Sequence, residues 1–261
     1  MDKPYYGDLC SLYYDIDKPT APTDELAYLL SFASPNMRIL EPMCGSGRFI
    51  IPFVERGFQI DGFDLSKDMI TRCREKLRPL SASPRIDVCD FAAFDLNREP
   101  YDLIFIAAGS FSLLTDPAAI IQALQVMKQA LTSTGRIVLS VLTDKQYRST
   151  TEVDETKRLE SGADQVGGKV SKGPIEVVLS GESTYDRDQH IQYSTLTYEL
   201  YMDGRYVRSE VEDFNIRMYQ PNAFDTIAEQ CGFIIDRKYT NFNQDQFDFH
   251  NVEVILYELR K

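Results

Sequence analysis

The sequence predicts a doubly wound α/β fold whose mostly parallel sheet carries a C-terminal antiparallel hairpin and is interrupted by a small inserted antiparallel sheet. Three observations predict it. Short apolar runs alternate with helical patterns through the first 142 residues, which implies right-handed crossovers and a sheet covered on both faces. From Ile175 the hydrophobic period becomes two and Asp203-Gly204 marks a tight turn, the pattern of antiparallel hairpins. At Pro221 the helical pattern returns, and two last strands follow, Ile234 to Tyr239 and Val252 to Leu259. The chain then divides into an N-terminal arm (1–22), an α/β unit (23–142 and 219–261) and an inserted sub-domain (143–218).

The arm carries Tyr5, Tyr6, Tyr13 and Tyr14, the last leading into Asp15. Tyrosines so dense in a polar stretch need a surface, since each brings a flat apolar face and a hydrogen-bonding tip; the arm is expected to lie across a pocket. Thr23 reads as an N-cap, with Leu26, Leu29, Leu30 and Ala33 on one helical face and Pro35 as the stop. Ile39-Leu40-Glu41 is the opening strand. It runs into the turn Pro42-Met43-Cys44-Gly45-Ser46-Gly47-Arg48 and then into a helical pattern of Phe49, Ile50, Phe53 and Val54. Glycines between a strand and a helix permit unusual backbone angles and let a ligand lie against the main chain at the helix N-terminus.

A second strand, Gln59 to Phe63, ends at Asp64, and Ser66 caps a helix with Met69, Ile70, Cys73 and Leu77 on one face. A third, Arg85 to Cys89, ends at Asp90-Phe91. A fourth, Tyr101 to Ile106, runs into Ala107-Ala108-Gly109-Ser110. Asp116-Pro117 opens the next helix by an N-cap and a first-turn proline, and Gly135 turns the chain into a fifth strand, Ile137 to Val141. Thr143 to Gly173 is polar and reads as a mobile connection or lid edge. Strands follow at Ile175 to Leu179, Ser183 to Asp186, Ile191 to Met202 and Arg205 to Met218, and a helix through Phe224, Ile227 and Ala228 stops at Gly232.

Composition narrows the class. Of 261 residues 43% are hydrophobic, enough to bury a large core, and 40 acidic against 28 basic residues give a net charge of -12. That charge argues against a nucleic-acid backbone binder, which needs clustered Lys and Arg. No run approaches the roughly 20 apolar residues of a membrane span, so the expectation is a cytoplasmic protein with a small-molecule partner; a homodimer fits as well as a monomer. The five cysteines are scattered, with no Cys-x-x-Cys pair or neighbouring His, so neither a disulfide framework nor a metal site is expected.

In an open α/β sheet, ligands bind beyond the carboxyl ends of the strands. Four consecutive strand ends bear suitable groups: Glu41 with Gly45 and Gly47; Asp64, placed to accept both hydroxyls of a ribose; Asp90 with Phe91; and Ala107 to Gly109. Glu41-Pro-Met-Cys-Gly-Ser-Gly, Gly62-Phe-Asp-Leu-Ser-Lys-Asp-Met69 and Asp90-Phe91 together resemble the class I S-adenosylmethionine-dependent methyltransferases, over nearly the whole chain. The resemblance implies that S-adenosyl-L-methionine is the cofactor, with Glu41 near the methionine amino group and Gly45 and Gly47 making room for the methionine moiety. It further implies that Asp64 binds the ribose, Leu65 and Met69 flank the adenine, Asp90 takes the adenine amino group with Phe91 beside it, and Ala107 and Ala108 line the cofactor.

More narrowly, Tyr13-Tyr14-Asp15 and the late antiparallel sheet resemble the small-molecule N-methyltransferases, including the amino-sugar dimethyltransferases and glycine N-methyltransferase. The amino-sugar enzymes often carry a His after the fourth strand, where this chain has Leu113. Tyr14 is expected beside the cofactor, and Tyr14 and Tyr219 in the acceptor pocket. His190 and His250, the two histidines, complete the candidates for proton transfer, because His is the usual group for it. An NAD(P)-dependent oxidoreductase and a non-catalytic nucleoside-cofactor-binding protein are the competing readings. The first lacks the third glycine of Gly-x-Gly-x-x-Gly, where Ile50 stands, and any Tyr-x-x-x-Lys pair; against the second, no cradle position is bulky or wrongly charged.

Overall fold

The computed structural model describes residues 6–80, 84–148, 164–246 and 248–261. Its main sheet has seven strands in the order β11-β12-β5-β4-β1-β2-β3. Strands β1 (Arg38–Pro42), β2 (Gln59–Asp64), β3 (Ile86–Val88), β4 (Tyr101–Ile106) and β5 (Leu131–Leu142) are parallel; β12 (Val254–Arg260) runs antiparallel to β5, and β11 (Ile234–Tyr239) antiparallel to β12. The expected hairpin therefore closes one edge. Strand order reverses between β1 and β4, so the connections after these two strands diverge and leave a crevice at their carboxyl ends.

The apolar runs are there because the sheet is buried on both faces. Leu103, Ile104, Phe105 and Ile106 are all buried, with Ile104 and Ile106 joining the cluster around Phe111, Leu124 and Tyr257, and Leu103 and Phe105 the opposite cluster around Phe53, Ile70 and Leu256. Ser66 and Asp116 cap their helices as expected: Ser66 Oγ accepts from Met69 N at 3.1 Å ahead of α4 (Lys67–Leu77), the helix after α3 (Ile50–Glu55), and Asp116 Oδ2 accepts from Ala119 N at 3.0 Å ahead of α5 (Pro117–Ala130). Thr23 is no cap. It is the first residue of α2 (Thr23–Leu30), behind Pro22, and the helix ends before Ser31 rather than at Pro35. Gly135 makes no turn into β5 either. The strand starts at Leu131, and Gly135 lies in a bulge where Leu131 to Arg136 oppose Tyr101 to Leu103; a side chain at Gly135 would meet that of Leu131 at 2.8 Å.

The second sheet runs β10-β8-β7-β6, with β9 also paired to β8: β6 (Asp164–Lys172), β7 (Ile175–Asp186), β8 (Ile191–Met202), β9 (Arg205–Asp213) and β10 (Ile216–Arg217). Three corrections arise here. The strand expected at Arg205 to Met218 breaks after Asp213 into β9 and β10. The segments expected at Ile175 to Leu179 and Ser183 to Asp186 are one strand, because at Gly181 a Cβ would lie 2.3 Å from the Thr195 carbonyl oxygen and glycine's missing side chain lets the pairing continue. The polar stretch Thr143 to Gly173 is not wholly a connection: its end forms β6, whose Val166 and Val170 pack inward while polar neighbours face out. Thr143 and Asp144 are buried, and residues 149–163 lie outside the described residues.

The N-terminal arm is helical over ten of its described residues. Helix α1 (Asp8–Asp17) packs Leu9 and Cys10 against Val177, Leu196 and Tyr198 of the inserted sheet. Both parts of the molecule hold it. From β9, Glu212 accepts from the Tyr6 backbone N–H and Glu210 from that of Leu9, 3.4 Å away, which sets negative charge at the helix N-terminus. From the α/β side, Ser66 Oγ donates to the Tyr6 carbonyl at 2.6 Å and Arg72 pairs with Asp8 at 2.9 Å.

Candidate functional site

The carboxyl ends of β1, β2, β3 and β4 open into a cavity of about 690 Å³, roofed by α1 and by the turn after β9. Of the residues named from sequence, Tyr14, Glu41, Gly45, Asp64, Leu65, Met69, Asp90, Phe91, Ala107 and Ala108 all line it. Gly47 lies behind the lining at φ +90°, where a Cβ would stand 2.8 Å from Cys73 Sγ and 2.9 Å from Ile51 Cδ1. Tyr219, His190 and His250 are not brought to the cavity. Tyr219 is buried in the main core against Phe224, His190 sits in the turn after β7 with Nδ1 3.0 Å from the Tyr185 hydroxyl, and His250 lies on a short turn before β12. Apolar packing at the helix Ala223–Gln230 claimed Tyr219, and hairpin geometry carried His190 away.

The loop after β1 is held by charge. Asp64 accepts from Gly45 N at 2.9 Å through Oδ2 and from Ser66 N at 2.8 Å through Oδ1. Asp15 of α1 reaches the same loop: Oδ1 accepts from Ser46 Oγ at 2.5 Å and from Lys76 Nζ at 2.6 Å. Met43 and Ala108 both stand at the cavity with positive φ, 58° and 57°, conformations that cost about 1–3 kcal/mol and persist only where neighbours hold them. Here Cys44 N donates to the Phe63 carbonyl at 3.0 Å, and Ala108 N to Glu25 Oε1 at 2.6 Å.

The inner end of the cavity has polar atoms without partners. Glu41 is buried with Oε2 unbonded, and Arg48, whose guanidinium lies 5.4 Å from the Tyr14 ring centre and 5.0 Å from that of Phe49, has an unbonded, buried Nε. Burial pushes the Glu41 carboxyl well above its usual range, with Arg48 opposing. Burial likewise raises Asp64 against the pull of its backbone N–H bonds, and raises Glu25 against the Ala108 N–H. The Tyr14 phenol is pushed up to about 12 by burial, opposed by Arg48.

A carboxyl raised by folding binds its proton more tightly in the folded state. Its ionisation therefore costs stability as pH rises from the unfolded value of 4.5 toward the folded one. Glu41→Gln is expected to flatten that part of the stability curve of the ligand-free protein, by at most about 1.4 kcal/mol per pH unit; chemical denaturation from pH 4 upward checks this, and parallel curves would refute it.

Sequence reasoning missed several groups. Glu25 reads as a first-turn acid of α2, yet it reaches the loop after β4, a contact across 83 residues that no local pattern shows. Arg48 directly follows the second loop glycine and Ser110 follows Gly109, so adjacency to the motifs was the available signal. Tyr6, Thr115, Asp213 and Asn215 reach the cavity by tertiary packing alone.

Residues 39–135 match a family model described as a methyltransferase domain, the segment that supplies the four strand ends and the glycine loop. The chain carries a methyltransferase domain over that segment. The methyltransferase is 21% identical over 246 residues to YqeM of Bacillus subtilis (strain 168), itself provisionally named a methyltransferase, with 92% of this chain and 91% of that protein covered. Its fold matches the CcbJ methyltransferase of Streptomyces caelestis at a TM-score of 0.76 and 19% identity, covering 100% of this chain and 99% of the other. It matches the sugar N-methyltransferase KedS8 of Streptoalloteichus sp ATCC 53650 at 0.70 and 16%, covering 100% and 98%. Among the described residues of the methyltransferase no helix is long and apolar enough to cross a membrane, and no cluster of three or more His, Cys, Asp or Glu is placed to hold a metal ion.

Proposed function

We propose that the methyl acceptor is a small molecule and that its nucleophile is an amine. The observation that carries this reading is the extent of the cavity. Beyond the positions suited to the cofactor it continues to a second wall, built from the Ser110–Leu113 turn and the residues after it and faced by Asp213 and Asn215 of the inserted sheet. A pocket of this size with a few polar groups suits a small ligand. That KedS8 is a sugar N-methyltransferase supports the same class of acceptor.

The chain's residues fit the cofactor. Glu41 Oε2 and Arg48 Nε, a buried acceptor and a buried donor without partners, suit the amino and carboxylate groups of a methionine moiety, and Gly45 leaves open space in which a Cβ would meet nothing closer than Met69 Sδ at 3.9 Å. Asp64 has further lone pairs that would take ribose hydroxyls, Leu65 and Met69 would flank the adenine, and Asp90 with Phe91 would edge it. When bound, S-adenosylmethionine supplies an electrophilic methyl on a sulfonium, displaced in line by the acceptor's lone pair. The protein's part is to place and dry the reactants, which can supply roughly 7–11 kcal/mol of the barrier. Tyr14, with its phenol held neutral, closes the site from α1. Leu113 lines the acceptor wall, so no imidazole acts at that position.

The test is transfer of labelled methyl from S-adenosylmethionine to a panel of amines, amino sugars, amino acids and hydroxylated aromatics. Label confined to hydroxyl acceptors would overturn the amine reading. Deleting residues 1–22 removes Tyr14 and the Asp15 contact, and is expected to lower turnover at least about a hundredfold and to abolish protection from protease by S-adenosylhomocysteine. Transfer at the full rate by the truncated protein would make α1 mere packing.

A further inference from the structure

Three carboxyl groups, Glu25, Glu41 and Asp64, interact at the glycine loop, and two of them hold backbone donors. Asp64 accepts from Gly45 N and Ser66 N, and Glu25 from Ala108 N; such bonds favour the ionised form. Glu41 lines the cavity and is 3% exposed, yet its Oε2 has no donor among the described residues. A carboxylate oxygen buried without a donor is costly, so the group keeps a proton instead. The surroundings of Glu41 agree. Burial raises it most, Cys73 of α4, Asp64 of β2 and Glu25 of α2 add to the rise, and Arg48 of the loop is the cation that opposes. The other titratable neighbours stay neutral: Cys44 of the loop is raised by its hydrogen bond to Cys73 and by burial, and Tyr14 of α1 by burial.

We propose that Glu41 holds a proton in the ligand-free protein and releases it to solvent when the cofactor's methionine moiety binds, so that cofactor loading is coupled to proton release. The inference rests on the placement of that moiety given above and deepens it. The moiety is a zwitterion. Its carboxylate suits Arg48, whose Nε is buried and unbonded, which leaves its ammonium facing Glu41. An ammonium buried against a neutral carboxyl has no counter-charge, and an uncompensated buried charge is strongly unfavourable. Glu41 restores the balance by losing the proton of its O–H bond, which passes to the buffer, and the carboxylate left behind accepts from the ammonium. No other bond forms or breaks. A nucleoside without the amino acid part brings no ammonium and leaves the proton on Glu41.

The experiment is calorimetry on the full chain at about pH 6, where an ordinary carboxyl is already ionised and an α-amine is still charged. Each titration is run in two buffers of different ionisation enthalpy, which counts the protons exchanged. S-adenosylhomocysteine is expected to release about one proton per site, and adenosine none. Between about pH 5 and about pH 7 the affinity for S-adenosylhomocysteine should rise by up to about tenfold per pH unit, while that for adenosine stays flat. Glu41→Gln, which copies the neutral carboxyl in shape, should abolish both the release and the pH dependence, with a thermal melt to confirm folding; the contrast between the two ligands on the wild type decides even without the variant. Binding of S-adenosylhomocysteine with no proton released, equal release by adenosine, or release that survives Glu41→Gln would each overturn the proposal. Failure of S-adenosylhomocysteine to bind at all would overturn the placement of the methionine moiety, and the proposal with it.

Discussion

Gly47→Ala is expected to cost the protein about a hundredfold in S-adenosylhomocysteine affinity, whereas Gly57→Ala leaves affinity unchanged. Both glycines hold positive φ, +90° and +80°, so alanine at either pays backbone strain of about 1–3 kcal/mol. Their surroundings differ. A Cβ at Gly57 has open space around it, while one at Gly47 strikes Cys73 and Ile51 behind the cofactor loop. Overpacking there adds about 1–3 kcal/mol, and relief comes by pushing the loop into the cavity; at 1.4 kcal/mol per tenfold this contribution alone amounts to about one to two decades. Calorimetry on both variants, with thermal melts to confirm folding, decides the matter. Equal affinities in the two variants would show that the loop's position is not what holds the cofactor.

Asp64→Ala is expected to weaken cofactor binding by at least about a hundredfold and also to destabilise the ligand-free protein. The carboxylate holds the backbone N–H groups of Gly45 and Ser66, and each donor left unpaired in a largely buried site costs about 1–3 kcal/mol. It thus fastens the glycine loop to the start of α4 before any ligand arrives. Asp64→Asn, which keeps one acceptor oxygen, should recover part of the stability and less of the affinity. If Asp64→Ala lowered the melting temperature and left the dissociation constant alone, Asp64 would be a helix and loop anchor and nothing more.

The α/β half of the fold was legible because its strands are buried on both faces and its loops carry turn and cap residues that act locally. The same locality explains why the glycine loop, Asp64, Asp90 and Phe91 were named: each sits at a strand end that the hydrophobic pattern marks. What the sequence hid was long-range. Nothing around Glu25 announces its bond to Ala108, and nothing in the polar run before Gly173 sets β6 apart, since an edge strand needs only Val166 and Val170 to face inward. Tyr219 shows the reverse error, an aromatic at a plausible address that the core claimed. The tyrosine-rich arm meets the cavity through Tyr6 and Tyr14, and the start of its helix is held by carboxylates more than 200 residues away.

That last dependence orders events during synthesis. Tyr6 and Leu9 are held by Glu212 and Glu210, separations of 206 and 201 residues, so a nascent chain making roughly 5–20 residues per second keeps its first helix waiting for roughly 10–40 s. Through that interval the strands around the glycine loop can pair, since their partners lie close in sequence, while Leu9 and Cys10 still lack the strands they pack against. The roof over the cavity is thus assembled after the strands around the glycine loop, and a ribosome stalled before β9 holds a chain whose cavity entrance is still open.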